Sequence, residues 1–130
     1  MIPYGKQDVN QADIDAVVSI LRSDFLTQGP QIPLFERAVA DYCNVDFGVA
    51  ANSATSALHI ALLLADVSED DEVITQSLTF VATSNAISYC GAQPIFIDVD
   101  KDTIGLSPKA LQDFLEANTI IQNQQCINNK

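Results

Sequence analysis

Apolar residues recur along this chain with two different spacings, and the alternation between them outlines the architecture. From Gln11 to Leu21, Ala12, Ile14, Val17, Val18 and Leu21 fall three or four apart, which predicts an amphipathic helix. Gly29, Pro30 and Pro33 interrupt the pattern. Leu34, Phe35, Ala38, Val39 and Tyr42 then mark a second helical stripe. Phe47–Ala51, Glu72–Thr75 and Pro94–Val99 are short runs suited to strands covered on both faces. Between them, residues 54–65 form a nearly all-apolar helix, and Phe80–Tyr89 reads as another helix, with Gly91 just past its last turn. Ser107 before Pro108 opens a last helix, with Ala110, Leu111, Phe114 and Leu115 on its apolar side.

This order predicts an α/β fold: a mainly parallel sheet with crossover helices, because parallel neighbours cannot be joined by a tight turn. Residues 1–10 read as an extended arm. After Asn118 the composition turns rich in Asn and Gln, with no helical stripe. Residues 119–130 are therefore expected to be an aberrant or disordered tail; a short strand through Ile120 and Ile121 is the alternative. The division expected is thus 1–118 for the domain and 119–130 for the tail.

Composition narrows the function. The 130 residues carry 17 acidic and 6 basic side chains, a net charge of −11. Without clustered Lys and Arg, neither nucleic acid nor an anionic membrane surface is an expected partner. Cysteines at 43, 90 and 126 form no C-x-x-C pair, which points away from disulfides and zinc and towards a reducing, cytoplasmic setting. No run is long and apolar enough to span a bilayer.

One segment carries chemistry. Val49-Ala-Ala-Asn52-Ser53-Ala54-Thr55-Ser56 sets a strand, a small-residue turn and a helix start in succession. Free N–H groups and the helix dipole favour a phosphate at such a start. The same pattern also fits an ordinary capped helix with no ligand, and the glycines and lysine of a P-loop are absent. Asp98-Val-Asp100-Lys-Asp102 suggests calcium at first sight. An EF-hand loop from Asp98 would need Gly and Glu where Thr103 and Lys109 stand, so a solvated turn is expected and no metal. His59, the only histidine, is expected in a core or interface.

Three ordered motifs together resemble the DegT/DnrJ/StrS family of pyridoxal-phosphate (PLP) dependent nucleotide-sugar aminotransferases. Leu26-Thr-Gln-Gly-Pro-Gln-Ile-Pro-Leu-Phe-Glu36 is similar to the family's TxGP…FE segment. Asn52-Ser-Ala-Thr-Ser-Ala-Leu58 resembles its cofactor-phosphate turn. Ser77-Leu-Thr-Phe80-Val-Ala-Thr-Ser-Asn85-Ala86 resembles the segment whose aromatic residue stacks on the cofactor ring, and Pro94-Ile-Phe-Ile-Asp98-Val-Asp100 the strand that follows. The resemblance implies part of the large domain of a fold-type-I PLP transferase. It implies that Ala54 and Thr55 contact the PLP phosphate and that Phe80 stacks on the ring. Thr27, Gln28 and Gly29 would lie near the sugar substrate.

The activity implied is amine transfer from an amino-acid donor to a nucleotide-linked keto sugar, for amino-sugar and surface-polysaccharide biosynthesis, in a homodimer. The Ile2–Gln7 opening and Leu26–Gly29 resemble the pseudaminic-acid branch, which uses a UDP-4-keto-6-deoxy-hexose. Such enzymes also need an Asp for the pyridine nitrogen and a Lys for the Schiff base, both downstream of the matched region. Lys6, Lys101, Lys109 and Lys130 stand in no matching motif. The chain is therefore expected to be truncated and inactive alone, with no catalytic residue of its own. A non-catalytic α/β phosphate-binding or interaction module is the competing expectation.

Overall fold

The computed structural model describes residues 5–129, so Ile2–Tyr4 of the opening motif and Lys130 lie outside the described residues. The chain divides into two compact units, residues 1–50 and 51–130.

In the first unit, α1 (Gln11–Leu21) starts on a reciprocal cap. The Asn10 side-chain oxygen accepts from the Ala12 and Asp13 N–H groups at 2.8 and 3.3 Å, and the Asn10 N–H donates to the Asp13 carboxylate at 2.9 Å. A helix α2 (Gln31–Cys43) follows the Gly-Pro interruption and stops at Asn44, which is left-handed at φ 53°. Asparagine tolerates that conformation better than most residues. Only Ala40 is buried on these helices; Ile14, Val17, Leu34 and Phe35 are all exposed.

The strand expected at Phe47–Ala51 does not form. The segment has no β partner among the described residues, and Phe47 and Val49 are exposed. Its backbone is spent on α2 instead. The Ala50 N–H donates to Glu36 Oε1 at 2.8 Å, and a Cβ at Gly48 would sit 2.6 Å from the Glu36 carbonyl. Gly48 is what lets the chain pass this close to the helix.

The second unit opens with α3 (Ala54–Leu64), on which no residue is fully buried. Strands β1 (Glu72–Gln76) and β2 (Gln93–Ile97) pair in parallel, from Glu72 beside Gln93 to Gln76 beside Ile97. Between them runs α4 (Ala82–Tyr89), two residues shorter at its start than expected; Phe80 and Val81 form the turn before it. Gly91, at φ +80°, reverses the chain into β2, as its position past the helix predicts. The core is built of small residues and a few aliphatics: Ala82, Ala86, Ile87, Ala92 and Ile97, with Thr75 also buried. Small side chains on α4 let helix and strands approach closely, and α3 packs on the same helix.

β2 ends at Ile97 rather than Val99, which makes an isolated antiparallel bridge with Leu106. Helix α5 (Pro108–Asn118) begins as expected: Ser107 Oγ accepts from the Ala110 N–H at 3.2 Å, with proline at the first helical position.

The segment expected to be a frayed tail takes up paired extended structure. β3 (Thr119–Gln122) and β4 (Gln125–Asn128) form an antiparallel hairpin, so the alternative of a strand through Ile120 and Ile121 describes it better. β-branched Thr119, Ile120, Ile121 and Ile127 favour extended backbone. The two-residue loop places Asn123 and Gln124 at φ 51° and 66°, the left-handed pair that matches strand twist. Glutamine suits the second of these poorly. Gln124→Gly should therefore stabilise the unit by about 0.5–1 kcal/mol, the left-handed penalty relieved less the entropy of glycine. The expected result is a higher melting temperature for the variant, checked by thermal circular dichroism; an unchanged or lower one would contradict this account of the turn.

Candidate functional site

The start of α3 shows why Ala54 and Thr55 differ from their neighbours. Ser53, extended at φ −161°, caps the helix: its Oγ accepts from the Ser56 N–H at 3.1 Å and contacts Ser56 Oγ at 3.1 Å. The Ala57 N–H reaches the Ser53 carbonyl at 3.0 Å. Of the first-turn donors, this leaves the N–H groups of Ala54 and Thr55 without a hydrogen bond to any described residue. Ala54 is exposed and Thr55 half-buried. Two adjacent free donors at the positive end of an eleven-residue helix are the chemistry of an anion cradle. No Lys, Arg, Asp or Glu stands between Phe47 and Ala65.

Phe80 sits in the turn after β1. Its carbonyl accepts from the Thr83 N–H at 3.0 Å, which fixes the backbone, while its ring is 75% exposed. Nearby, Thr79 Oγ1 and Thr83 Oγ1 lie 3.3 Å apart, and Gln76 donates to the Leu78 carbonyl at 2.9 Å. The turn is thus held by its own polar groups while the aromatic face stays bare, as a stacking surface requires. His59 packs edge-on against Tyr89, ring centres 5.6 Å apart, and joins α3 to α4.

Thr27, Gln28 and Gly29 belong to the first unit, in the bend between α1 and α2. Gln28 is left-handed at φ 52°. A Cβ on Gly29 would lie 2.7 Å from that of Phe25, so glycine is what allows the bend to close. Glu36, in the same motif, is the residue whose role the sequence did not disclose. Its carboxylate holds Ala50, fourteen residues on, and only that long-range bond reveals it.

The aspartate turn after β2 is satisfied internally. Asp100 Oδ1 accepts from the Thr103 N–H at 2.9 Å, its hydroxyl at 3.0 Å and the Asp102 N–H at 3.1 Å. No group of His, Cys, Asp and Glu among the described residues is arranged to hold a metal. The three cysteines are free thiols. No helix among the described residues is long and apolar enough to cross a membrane.

Structure and sequence define this chain as part of an aminotransferase fold. A family model for the DegT/DnrJ/EryC1/StrS aminotransferase family matches residues 7–125, and the chain belongs to that family. It is similar to Spr1654 of Streptococcus pneumoniae, assigned as a sugar aminotransferase and solved in PLP, PMP and apo forms. The PLP form has 35% identity and a TM-score of 0.80 over 86% of this chain and 29% of that one. An aminotransferase from Psychrobacter cryohalolentis gives 30% identity and 0.78 over 85% of this chain and 29% of that one. For the aminotransferase TlmJ from Streptoalloteichus hindustanus the figures are 31% and 0.78, over 87% and 31%. The chain thus spans under a third of the length of these structures.

The Asp100 turn generates a pH prediction. Hydrogen bonds from the Thr103 backbone and hydroxyl, with a smaller one from the Asp102 N–H, hold this carboxyl below the ordinary aspartate value of 3.8, against a desolvation that opposes them. A depressed folded-state pKa gives stabilisation that is fully present above the unfolded value and is lost as pH falls through the folded one. The wild-type chain should therefore be more stable than Asp100→Asn above about pH 4, with the gap closing on further acidification. Urea melts of both chains from pH 7 to pH 2 check this; a gap independent of pH would contradict it.

Proposed function

We propose that this chain contributes the phosphate and ring-stacking sides of a PLP site in a cytoplasmic aminotransferase that aminates a nucleotide-linked keto sugar for polysaccharide biosynthesis. The observation that carries the reading is the pair of free N–H groups at Ala54 and Thr55. They sit on the two residues that the family resemblance assigns to the cofactor phosphate. The exposed Phe80 ring offers the apolar face that a pyridine ring requires. PLP supplies, when bound, the electron-withdrawing ring through which an amino group is exchanged. The residues present fit its phosphate and its ring. The family match and the assignment of Spr1654 as a sugar aminotransferase support the sugar class. Thr27, Gln28 and Gly29 are the residues proposed to meet the sugar, and a homodimer is the assembly proposed.

We further infer that the 130-residue chain by itself does not transfer amine. Exchange through PLP needs a lysine held at the cofactor. Lys101 lies in the aspartate turn, Lys109 is paired with Asp113 on α5, and Lys6 precedes α1. None stands on α3 or in the Phe80 turn.

The cradle can be tested without disturbing the helix. Ala54 is the first helical residue, where proline is tolerated, and the extended Ser53 before it is compatible with a following proline. Ala54→Pro removes one donor and should weaken PLP binding, followed by absorbance and fluorescence, about tenfold while leaving helix content unchanged. Equal PLP affinity in the folded variant would refute the cradle. Borohydride treatment of the wild-type chain with PLP should give no adduct confined to one lysine and no amine transfer to a UDP-keto-sugar. Turnover with one modified lysine would refute the inactivity while leaving the cradle standing.

A further inference from the structure

We propose that Thr83 is a positioning residue for the cofactor ring, latching Thr79 and Phe80 onto α4 through its hydroxyl and its N–H, an assignment that rests on Phe80 being the stacking surface.

The turn after β1 has little else to hold it. Leu78, Phe80 and Val81 are 56%, 75% and 58% exposed, so apolar burial does not set their positions. Helix α4 also lacks a capping side chain. Its N-cap is Val81, which has no side-chain oxygen to accept from the first turn. The turn has three polar links instead. Gln76, the last residue of β1, donates through Nε2 to the Leu78 carbonyl at 2.9 Å. The Thr83 N–H donates to the Phe80 carbonyl at 3.0 Å. The hydroxyl oxygens of Thr79 and Thr83 lie 3.3 Å apart, a long hydrogen bond.

Two of these links end on Thr83, and they bracket Phe80. One holds its carbonyl; the other holds the residue before it. Thr83 is half-buried in the first turn of α4, on the same helix as the buried Ala82, Ala86 and Ile87, whereas Thr79 is exposed. The latch ties an exposed turn to the fixed element behind it.

A ligand with two ends makes this matter. The phosphate and the ring of PLP are covalently joined, so their two contacts must keep one separation. The cradle stands at the start of α3 and Phe80 just before α4, and these helices pack on each other, with His59 against Tyr89. That packing fixes the helices. It does not fix an exposed ring two residues ahead of α4, and the latch does. A turn already ordered loses less freedom when a ligand binds. Removing the latch therefore weakens the hold on the ring and leaves the phosphate contacts as they were.

The chain contains no tryptophan, so Phe80→Trp sets a single fluorescent reporter at the ring position. In that background the full chain is compared with the same chain carrying Thr83→Val, Thr83→Ser or Thr79→Val. Three measurements are made: indole anisotropy without ligand, quenching of the indole by PLP, and competition by inorganic phosphate, which reports on the cradle alone. Thr83→Val and Thr79→Val should lower the anisotropy and weaken PLP binding about three- to tenfold, the effect of one neutral hydrogen bond. Thr83→Ser, which keeps the hydroxyl, should bind PLP like the parent. Competition by phosphate and helix content should not change in any of them. Parent-like anisotropy and PLP affinity in the valine variants would overturn the latch alone. Loss of affinity in Thr83→Ser, or an equal loss for phosphate, would trace the effect to the fold of α4 and overturn it too. A parent whose indole PLP does not quench would remove the stacking surface itself, and the role of Thr83 with it.

Discussion

The second unit depends on the close approach of α4 to the parallel pair it connects. β1 and β2 run in the same direction, so the chain must leave the end of one and return to the start of the other, and only a crossover can do this. Ala82 and Ala86 line the helix side of that contact and Ala92 follows the Gly91 turn; Thr75 and Ile97 are the buried strand residues, on opposite faces of the pair. A larger side chain at Ala86, which has no exposed surface, would push the helix off the strands. Because the strands are parallel, their C-terminal ends lie together, and the Phe80 turn and the Asp100 turn both follow those ends. Open parallel sheets bind ligands at that end as a rule. The placement of Phe80 is a consequence of the strand direction.

What could be read from the sequence is what is decided locally. Ser53 and Ser107 announce helix starts because a hydroxyl satisfies a backbone donor three residues on, and Gly91 announces a stop because its φ is positive. The capped helix start at Ser53 and Ala54 belongs to this group: a cap followed by small residues is written in consecutive positions. What failed is what a distant partner decides. Phe47–Ala51 has strand composition, but a strand exists only against another strand. Here Glu36 takes the Ala50 donor and Gly48 passes close to α2. The hairpin was missed for the opposite reason. Asn123-Gln124 carries no glycine to signal the turn, and the pairing of Ile120 with Ile127 outweighs the poor fit of Gln124.

The bare apolar surface has the same root as the small core. With alanine filling the helix–strand contact, the large side chains have few interior positions to occupy. Leu58, Leu64 and Phe96 are exposed, and Leu62 is half-buried. On α3 no charged residue accompanies them, so this face is apolar nearly all round while one of its ends presents free N–H groups. An apolar helix with an electropositive end suits a ligand that is part ring and part anion better than it suits water.

The charge balance constrains how such a ligand would be held. Most phosphate sites combine backbone donors with a lysine or arginine. Here the residues from Phe47 to Ala65 include no Lys or Arg, and the chain as a whole has only six of these against seventeen acids. Backbone N–H groups and the Thr55 and Ser56 hydroxyls would have to carry the phosphate alone, each neutral and therefore worth less than a charged contact. The field of a chain at −11 opposes any anion that approaches. Binding at the proposed site would therefore depend on the phosphate and the ring being engaged together. The Phe80 face would contribute apolar contact that carries no charge penalty, and the cradle would fix the position in which that contact is made.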